Sequence, residues 1–210
     1  MARLAYPDPS DVAELMRRFP PPVRQMNIGR MVSHAPTLVA PYYNTYGAVL
    51  QSLELDPKLR QLAILRVAER VSAEYVLVEQ RALAKLAGLT DQQISAARPA
   101  DFDTTSYWFD SSCYSHVQKL VLTFTDEVTA GGRISSHVFE RIRTVLTPRE
   151  IVELLLVIGW YWTACRLTTT LEIEPEHPLE RGVISMFEGE RARRAGQPHA
   201  AVARDAARAG

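Results

Sequence analysis

Thr147-Pro148-Arg149-Glu150 is the clearest helix start in the chain, and the apolar run behind it constrains the fold most. Threonine offers an N-cap oxygen, proline suits the first helical turn, and glutamate three residues on completes a capping box. The run itself, Ile151 to Cys165, reads IVELLLVIGWYWTAC, with Glu153 its one charge. It is about 15 residues long, against the roughly 20 needed to span a bilayer. A helix buried in a protein core is therefore expected here.

Helix punctuation recurs along the chain. Asp56-Pro57 pairs a capping acceptor with a proline at the first helical position. Leu59, Leu62, Ala63, Leu65, Val67, Ala68 and Val71 come next at helical spacing. A second helix is expected from about Glu74 to Ala87, ended by Gly88. Thr90-Asp91-Gln92-Gln93 reads as another capping box. Val117, Leu120, Val121, Phe124 and Val128 share one face of a helix that stops at Gly131-Gly132, and Ile134, Val138, Ile142 and Val145 mark the next. No segment alternates as a strand and no Asn-Gly hairpin occurs. The expected fold is all-α, with six to eight helices. From Pro99 to Cys113 the periodicity dissolves, and an ordered loop is expected whose aromatics, Phe102 to Phe109, pack back onto the body. The proline-rich stretch 1–41 reads as an arm wrapping a helical domain, 42–185. The Ala/Arg-rich stretch 186–210 reads as a helical extension or a disordered tail.

Charge and cysteine content narrow the function. The chain has 210 residues with 24 Lys+Arg and 24 Asp+Glu, so its formal charge is zero. That balance argues against a basic nucleic-acid reader. Cys113 and Cys165 make neither a disulfide framework nor a CxxC redox or zinc pair. Pro7, Asp8, Pro9 and Asp11 interrupt any basic-then-apolar leader, so a soluble cytoplasmic protein is expected, bound to neither membrane nor nucleic acid.

Two blocks carry a family resemblance. One is LRQLAILRVAERVSAEYVLVEQRALAKLAGLTDQQI, Leu59 to Ile94. The other is VQKLVLTFTDEVTAGGRISSHVFERIRTVLTPREIVELLLVIGWYWTACRLTTTLEIE, Val117 to Glu174. Together they resemble the carboxymuconolactone decarboxylase family of the alkylhydroperoxidase D-like superfamily. The resemblance implies an all-helical bundle in which a helix pair lines a pocket, assembled as a homotrimer or a multiple of one. Redox-active members of that superfamily carry Cys-x-x-Cys-x-x-x-His with a glutamate one helix earlier. With the histidine placed on Gln80, the two cysteines fall on Ala73 and Val76 and the glutamate on Gln61. The decarboxylase-like AEYEWxxH pattern reads AEYVLVEQ here. Peroxidase chemistry needs a thiolate and a resolving thiol, and neither stands at those positions. A glutamine does not titrate, though Gln61 and Gln80 can orient a carbonyl or a water.

The candidate catalytic residues are accordingly Gln80, Tyr75, His116 and Glu79. Tyr75 either offers its hydroxyl to the pocket or packs as an aromatic with a wet tip. Glu79 could be a displaced base, but one helical step turns it by about 100°, which favours a solvated surface position. Glu74 and Glu69 read as surface carboxylates. His116 is the histidine within the resembling region that could replace the lost base, although a helix-entry histidine usually faces water. With Cys113 it could form a Cys–His nucleophile, lacking a third orienting group. Substrate-binding candidates are Gln61, Arg66, Val76, Trp108 and Tyr161. Arg66 is read as an anion clamp or, preferentially, as the partner of Glu69 or Glu153. Trp160, Tyr161 and Trp162 are core residues by spacing, with Tyr161 a pocket candidate by resemblance. Arg166 reads as structural and Cys165 as a small buried hydrophobe. No metal site and no cofactor motif is expected.

These residues suggest a cofactor-independent lyase, isomerase or cyclase acting on a small oxygenated molecule such as a lactone, a β-keto acid or a polyketide-like intermediate. A tailoring step in secondary metabolism fits best. Two other readings are a non-catalytic binding or assembly protein that keeps the fold, and an ordinary decarboxylase with a relocated base.

Overall fold

The computed structural model describes residues 2–97, 112–131 and 133–176. Among these residues there are ten helices and no strand. They are α1 (Pro9–Met16), α2 (Pro21–Gln25), α3 (Asn27–Val32), α4 (Pro36–Gln51), α5 (Pro57–Arg70), α6 (Glu74–Leu86), α7 (Asp91–Ala96), α8 (His116–Ala130), α9 (Ser136–Arg143) and α10 (Pro148–Thr170). The expected caps form. Asp56 accepts from the Lys58 and Leu59 amides at the head of α5. Thr90 with Gln93 and Thr147 with Glu150 close their capping boxes. A third box, Ser115 with Gln118, opens α8. Gly88, at φ +94, lies just beyond α6, where a left-handed residue is wanted.

The helix count exceeds six to eight because the N-terminal prolines start helices. Pro9, Pro21 and Pro36 each sit in a first turn, where a missing N–H costs nothing. The segment also supplies core residues, among them Met16, Val23, Met26, Ile28, Met31 and Val39. The boundary drawn at 41/42 falls inside α4, which runs on through Pro41. The aromatic loop 102–109, Trp108 with it, and the stretch 186–210 lie outside the described residues.

α5 is the axis of the fold. It is buried without a break from Leu59 to Ala68, with α6, α8 and α10 packed around it. A helix covered on every side must satisfy its polar groups internally. Arg60 Nη1 donates to the Leu50 carbonyl at 2.9 Å. Arg66 Nε donates to Asp126 Oδ1 on α8 at 2.5 Å, and Arg70 reaches the same oxygen at 3.3 Å. Arg66 is thus structural, but its partner is Asp126 rather than Glu69 or Glu153. Glu153 is committed elsewhere: Oε2 accepts from the Leu55 amide at 2.8 Å and Oε1 from Arg149 at 2.9 Å.

α10 extends well past the apolar run. By length and composition it could cross a membrane, with 23 residues and a mean hydropathy of 1.3 over its best window, half of which is buried in the fold. Its inner face places Ile151, Leu154, Val157, Ile158, Tyr161, Ala164 and Cys165 in the core. Its outer face leaves Val152, Leu155 and Leu156 exposed at 55%, 37% and 64%.

Candidate functional site

Three helices converge on one small cavity. α6 brings Val76, Glu79 and Gln80, α4 brings Tyr42, Tyr43 and Tyr46, and α10 brings Trp160, Tyr161 and Ala164. Positions three and four residues apart share a helix face, so each triad forms one wall. Met26 and Ile28 at the start of α3 close a further side. The enclosed space is about 10 Å³, on the order of one water molecule.

The lining is strongly aromatic. The ring centroids of Tyr42 and Tyr46 lie 5.0 and 5.5 Å from Trp160, and Tyr161 meets Trp160 edge-on at 4.8 Å. Burial raises the hydroxyl pKa of Tyr42, Tyr46 and Tyr161 well above the ordinary phenol value, and the Glu79 charge pushes the same way. These tyrosines stay protonated at any working pH. The Tyr161 hydroxyl, Gln80 Oε1 and Glu79 Oε1 are sealed from solvent and lack a hydrogen-bond partner among the described residues. Such groups normally find a partner, and those that do not are candidates for function.

Glu79 is the titrating group of the cavity. The residue keeps some surface, yet its Oε1 has essentially none. Loss of hydration holds its pKa well above the usual carboxylate value, the Glu176 charge adds to this, and a hydrogen bond with the Tyr75 hydroxyl works against it. A solvated surface position is therefore not what the fold gives Glu79. The 100° step from Gln80 does not carry it into water, because α4 and α10 cover both positions. Tyr75, one turn before Glu79, is buried, and its tip is not wet: Oη donates to Glu176 Oε1 at 2.9 Å and accepts from the Ile28 amide at 3.5 Å. Glu176, from the segment after α10, also accepts from the Asn27 amide. Desolvation raises its carboxyl pKa, the Asn27 and Tyr75 bonds and the Arg30 charge opposing.

The remaining expectations divide. Gln80, Val76 and Tyr161 line the cavity as expected. Gln61 is buried on α5 with its Oε1 unpartnered, and it is not a lining residue. His116 is exposed at the first turn of α8 and is not among the residues lining the cavity. Cys113 is half-buried in the turn before α8. Cys165 is buried, its thiol pushed up to about 12 by desolvation, so it behaves as the expected apolar residue. Arg166 is exposed and lies over the Trp162 ring at 4.8 Å. No group of three or more metal-ligating side chains occurs among the described residues. Residue-level reasoning missed Glu176 and Tyr42, Tyr43 and Tyr46. The YYNTY spacing carried a signal for the tyrosines, whereas nothing local marks Glu176.

No family model matches the chain, and no curated protein does. Solved structures do match. One is an uncharacterized peroxidase-related protein from Ralstonia eutropha JMP134, described as an alkylhydroperoxidase AhpD core. It is 13% identical, with TM-score 0.66, covering 85% of this chain and 94% of its own. Another, an uncharacterized peroxidase-related protein from Silicibacter sp. TM1040, is 14% identical with TM-score 0.67 over 86% and 94%. A third is the debrominase Bmp8, a variant in complex with 2,3,4-tribromopyrrole, 12% identical with TM-score 0.67 over 89% and 99%. The AhpD-like arrangement of helices implied by the AEYVLVEQ and VELLLVIGWYW blocks is the one this chain adopts, and its fold is the all-helical fold of the alkylhydroperoxidase D-like proteins.

Proposed function

We propose that the chain is an acid–base enzyme of lyase or isomerase type, acting on a small oxygenated organic molecule with Glu79 as the relocated titrating group. The observation that carries this reading is the Glu79 carboxyl, desolvated and unpartnered at Oε1 on the wall of an aromatic cavity. A carboxyl held neutral by its surroundings can protonate a developing oxyanion or carbanion and then take the proton back. Gln80 and Tyr161 stand beside it to orient a carbonyl through hydrogen bonds. Flat walls of Tyr42, Tyr46, Trp160 and Tyr161 favour a planar substrate, and the debrominase neighbour was captured with a planar ring. With Ala73 and Val76 at the positions of the family thiols and the Cys165 thiol neutral, thiol peroxidase chemistry has no footing here. A tailoring step in secondary metabolism remains the setting that suits such a site.

A non-catalytic binding or assembly role is the second reading, and one observation favours it: the cavity holds only about one water. Substrate could enter only if the tyrosine wall turned aside. Turnover assays on a panel of lactones and β-keto acids separate the two. In the enzyme reading, Glu79→Gln lowers turnover by roughly a hundredfold or more and His116→Ala leaves it unchanged. Full activity in Glu79→Gln would overturn the assignment. No turnover by the wild type, and no thermal shift with any compound of the panel, would leave the binding or assembly role.

The working unit in this reading is a homo-oligomer, a trimer or a multiple of one. Its support is the family resemblance together with the exposed Val152, Leu155 and Leu156 on α10, an apolar stripe of the kind that subunit contacts cover. Sedimentation of a Leu156→Glu variant tests it: a smaller species is expected, and an unchanged assembly would remove this face from consideration.

A further inference from the structure

We propose that the aromatic cavity is a binding site for the ammonium head of a small primary amine. The inference goes beyond acid–base turnover: it concerns what the cavity holds, whether or not Glu79 does chemistry on it. Three oxygens of the lining residues await a donor. Glu79 Oε1, Gln80 Oε1 and the Tyr161 hydroxyl are sealed from solvent, without a hydrogen-bond partner among the described residues. Gln80 and Tyr161 are 1% and 2% exposed, so bulk water does not serve them. An amide oxygen and an ionised carboxylate only accept, and a phenol oxygen can accept. A primary ammonium group carries three N–H donors and no acceptor, the complement of that set, whereas a water offers two donors. A cation such as calcium calls for roughly six or more oxygens, and no group of three or more metal-ligating side chains occurs among the described residues.

The rest of the lining suits a positive charge. Tyr42, Tyr43, Tyr46, Trp160 and Tyr161 surround these oxygens with aromatic rings, whose faces attract cations. No lysine, arginine or histidine lines the cavity. The titratable groups acting with Glu79 are Tyr42, Tyr43 and Tyr46 from α4, Tyr75 from its own helix, Tyr161 from α10, and Glu176 beyond α10. Arg60 of α5 and Cys165 of α10 act on Tyr161, and Arg30 of α3 acts on Glu176. The space is about 10 Å³, on the order of one water, which is the size of an ammonium head. Tyr42, Glu79 and Trp160 are half-buried, so that edge of the lining reaches the surface and gives the carbon end of the amine a way out. Binding exchanges one proton. Desolvation favours the protonated Glu79 carboxyl in the free protein, and a cation beside it favours the ionised form. As the ammonium seats, the Glu79 O–H bond breaks and its proton leaves to solvent. One positive charge enters as another departs, so the net charge of the site is unchanged. Affinity should therefore rise with pH, about tenfold per unit below the Glu79 pKa of the free protein, and level off above it.

Calorimetric titration of the full chain with methylammonium chloride at constant ionic strength tests this. Methanol serves as the uncharged probe of the same size, and tetramethylammonium as the cation without N–H donors. Methylammonium is expected to bind and to raise the Tm, releasing about one proton per amine below the Glu79 pKa, read by comparing buffers of different ionisation enthalpy. Glu79→Gln keeps the shape of the wall and should melt no lower than the wild type at neutral pH. It should weaken binding by roughly tenfold or more and abolish the proton release. No methylammonium binding, an equal response to methanol, or equal binding of tetramethylammonium would overturn the ammonium site and leave a water as the occupant. Unchanged affinity in Glu79→Gln would overturn it as well. Turnover of the lactone and β-keto acid panel is a separate readout, so the acid–base role stands or falls independently.

Discussion

Replacing Glu79 by glutamine should stabilise the protein at neutral pH and leave it nearly unchanged near pH 4. In the unfolded chain Glu79 titrates at about 4.3. In the folded chain its pKa is held well above the ordinary value by desolvation and by Glu176. Below the unfolded value both states carry the proton, and the contribution of the neutral, buried carboxyl is fully present. As pH rises past it, the unfolded chain ionises and releases its proton while the folded chain keeps it. Stability then falls by about 1.4 kcal/mol per pH unit until Glu79 ionises in the fold as well. For a domain of this size that amounts to about 4 °C of Tm per pH unit. The glutamine variant has the same shape and no such slope. Calorimetric melts of both proteins at matched ionic strength, from roughly pH 4 to 8, give the difference curve, in which unrelated titrations cancel. The wild type should lose ground steadily to Glu79→Gln as pH rises. A flat difference, or one in which the wild type gains, would mean a solvated or ion-paired carboxylate at this position and would refute the buried acid.

Other positions make separate claims. A Cβ built on Gly29 would fall on the Tyr43 hydroxyl, with ring Cζ 2.9 Å away, so Gly29→Ala should cost about 1–3 kcal/mol in urea unfolding and displace a cavity wall. Thr147→Ala removes the cap of α10 and should cost about 1 kcal/mol, read in the same assay. Gly88→Ala places a side chain at φ +94 with Lys58 Cε 2.8 Å from its Cβ, and a loss of about 1–3 kcal/mol is expected in thermal unfolding.

Much of the fold was written locally. The capping residues Asp56, Thr90 and Thr147 act over three or four residues, so their helices could be placed from sequence. The N-terminal helices escaped because Pro9, Pro21 and Pro36 read as extended-arm residues when they in fact sit where a helix has no use for an N–H. The site was legible only in part. Gln80, Val76 and Tyr161 were found through the family pattern. Glu79 was placed by helical phase as though α6 had one narrow inward face, but α4 and α10 flank it and widen the buried arc. The partner of Arg66 could not be read from α5, because Asp126 arrives from α8, some 60 residues along the chain. Glu176 is more distant still, about 100 residues from Tyr75. Pairings at that separation belong to the tertiary arrangement and leave no periodicity behind.

The segment that bears Glu176 also fastens the beginning of the chain. The Arg3 amide donates to the Leu171 carbonyl, its side chain to Glu172, Tyr6 to Glu174, and the Asn27 side chain to the Glu174 carbonyl. The two ends of the described chain thus meet at a seam beside the cavity. Cutting the protein back to the last turn of α10 would retain all ten helices of the described residues and still open that seam, so a trimmed version could look intact by circular dichroism while the cavity had lost its flank.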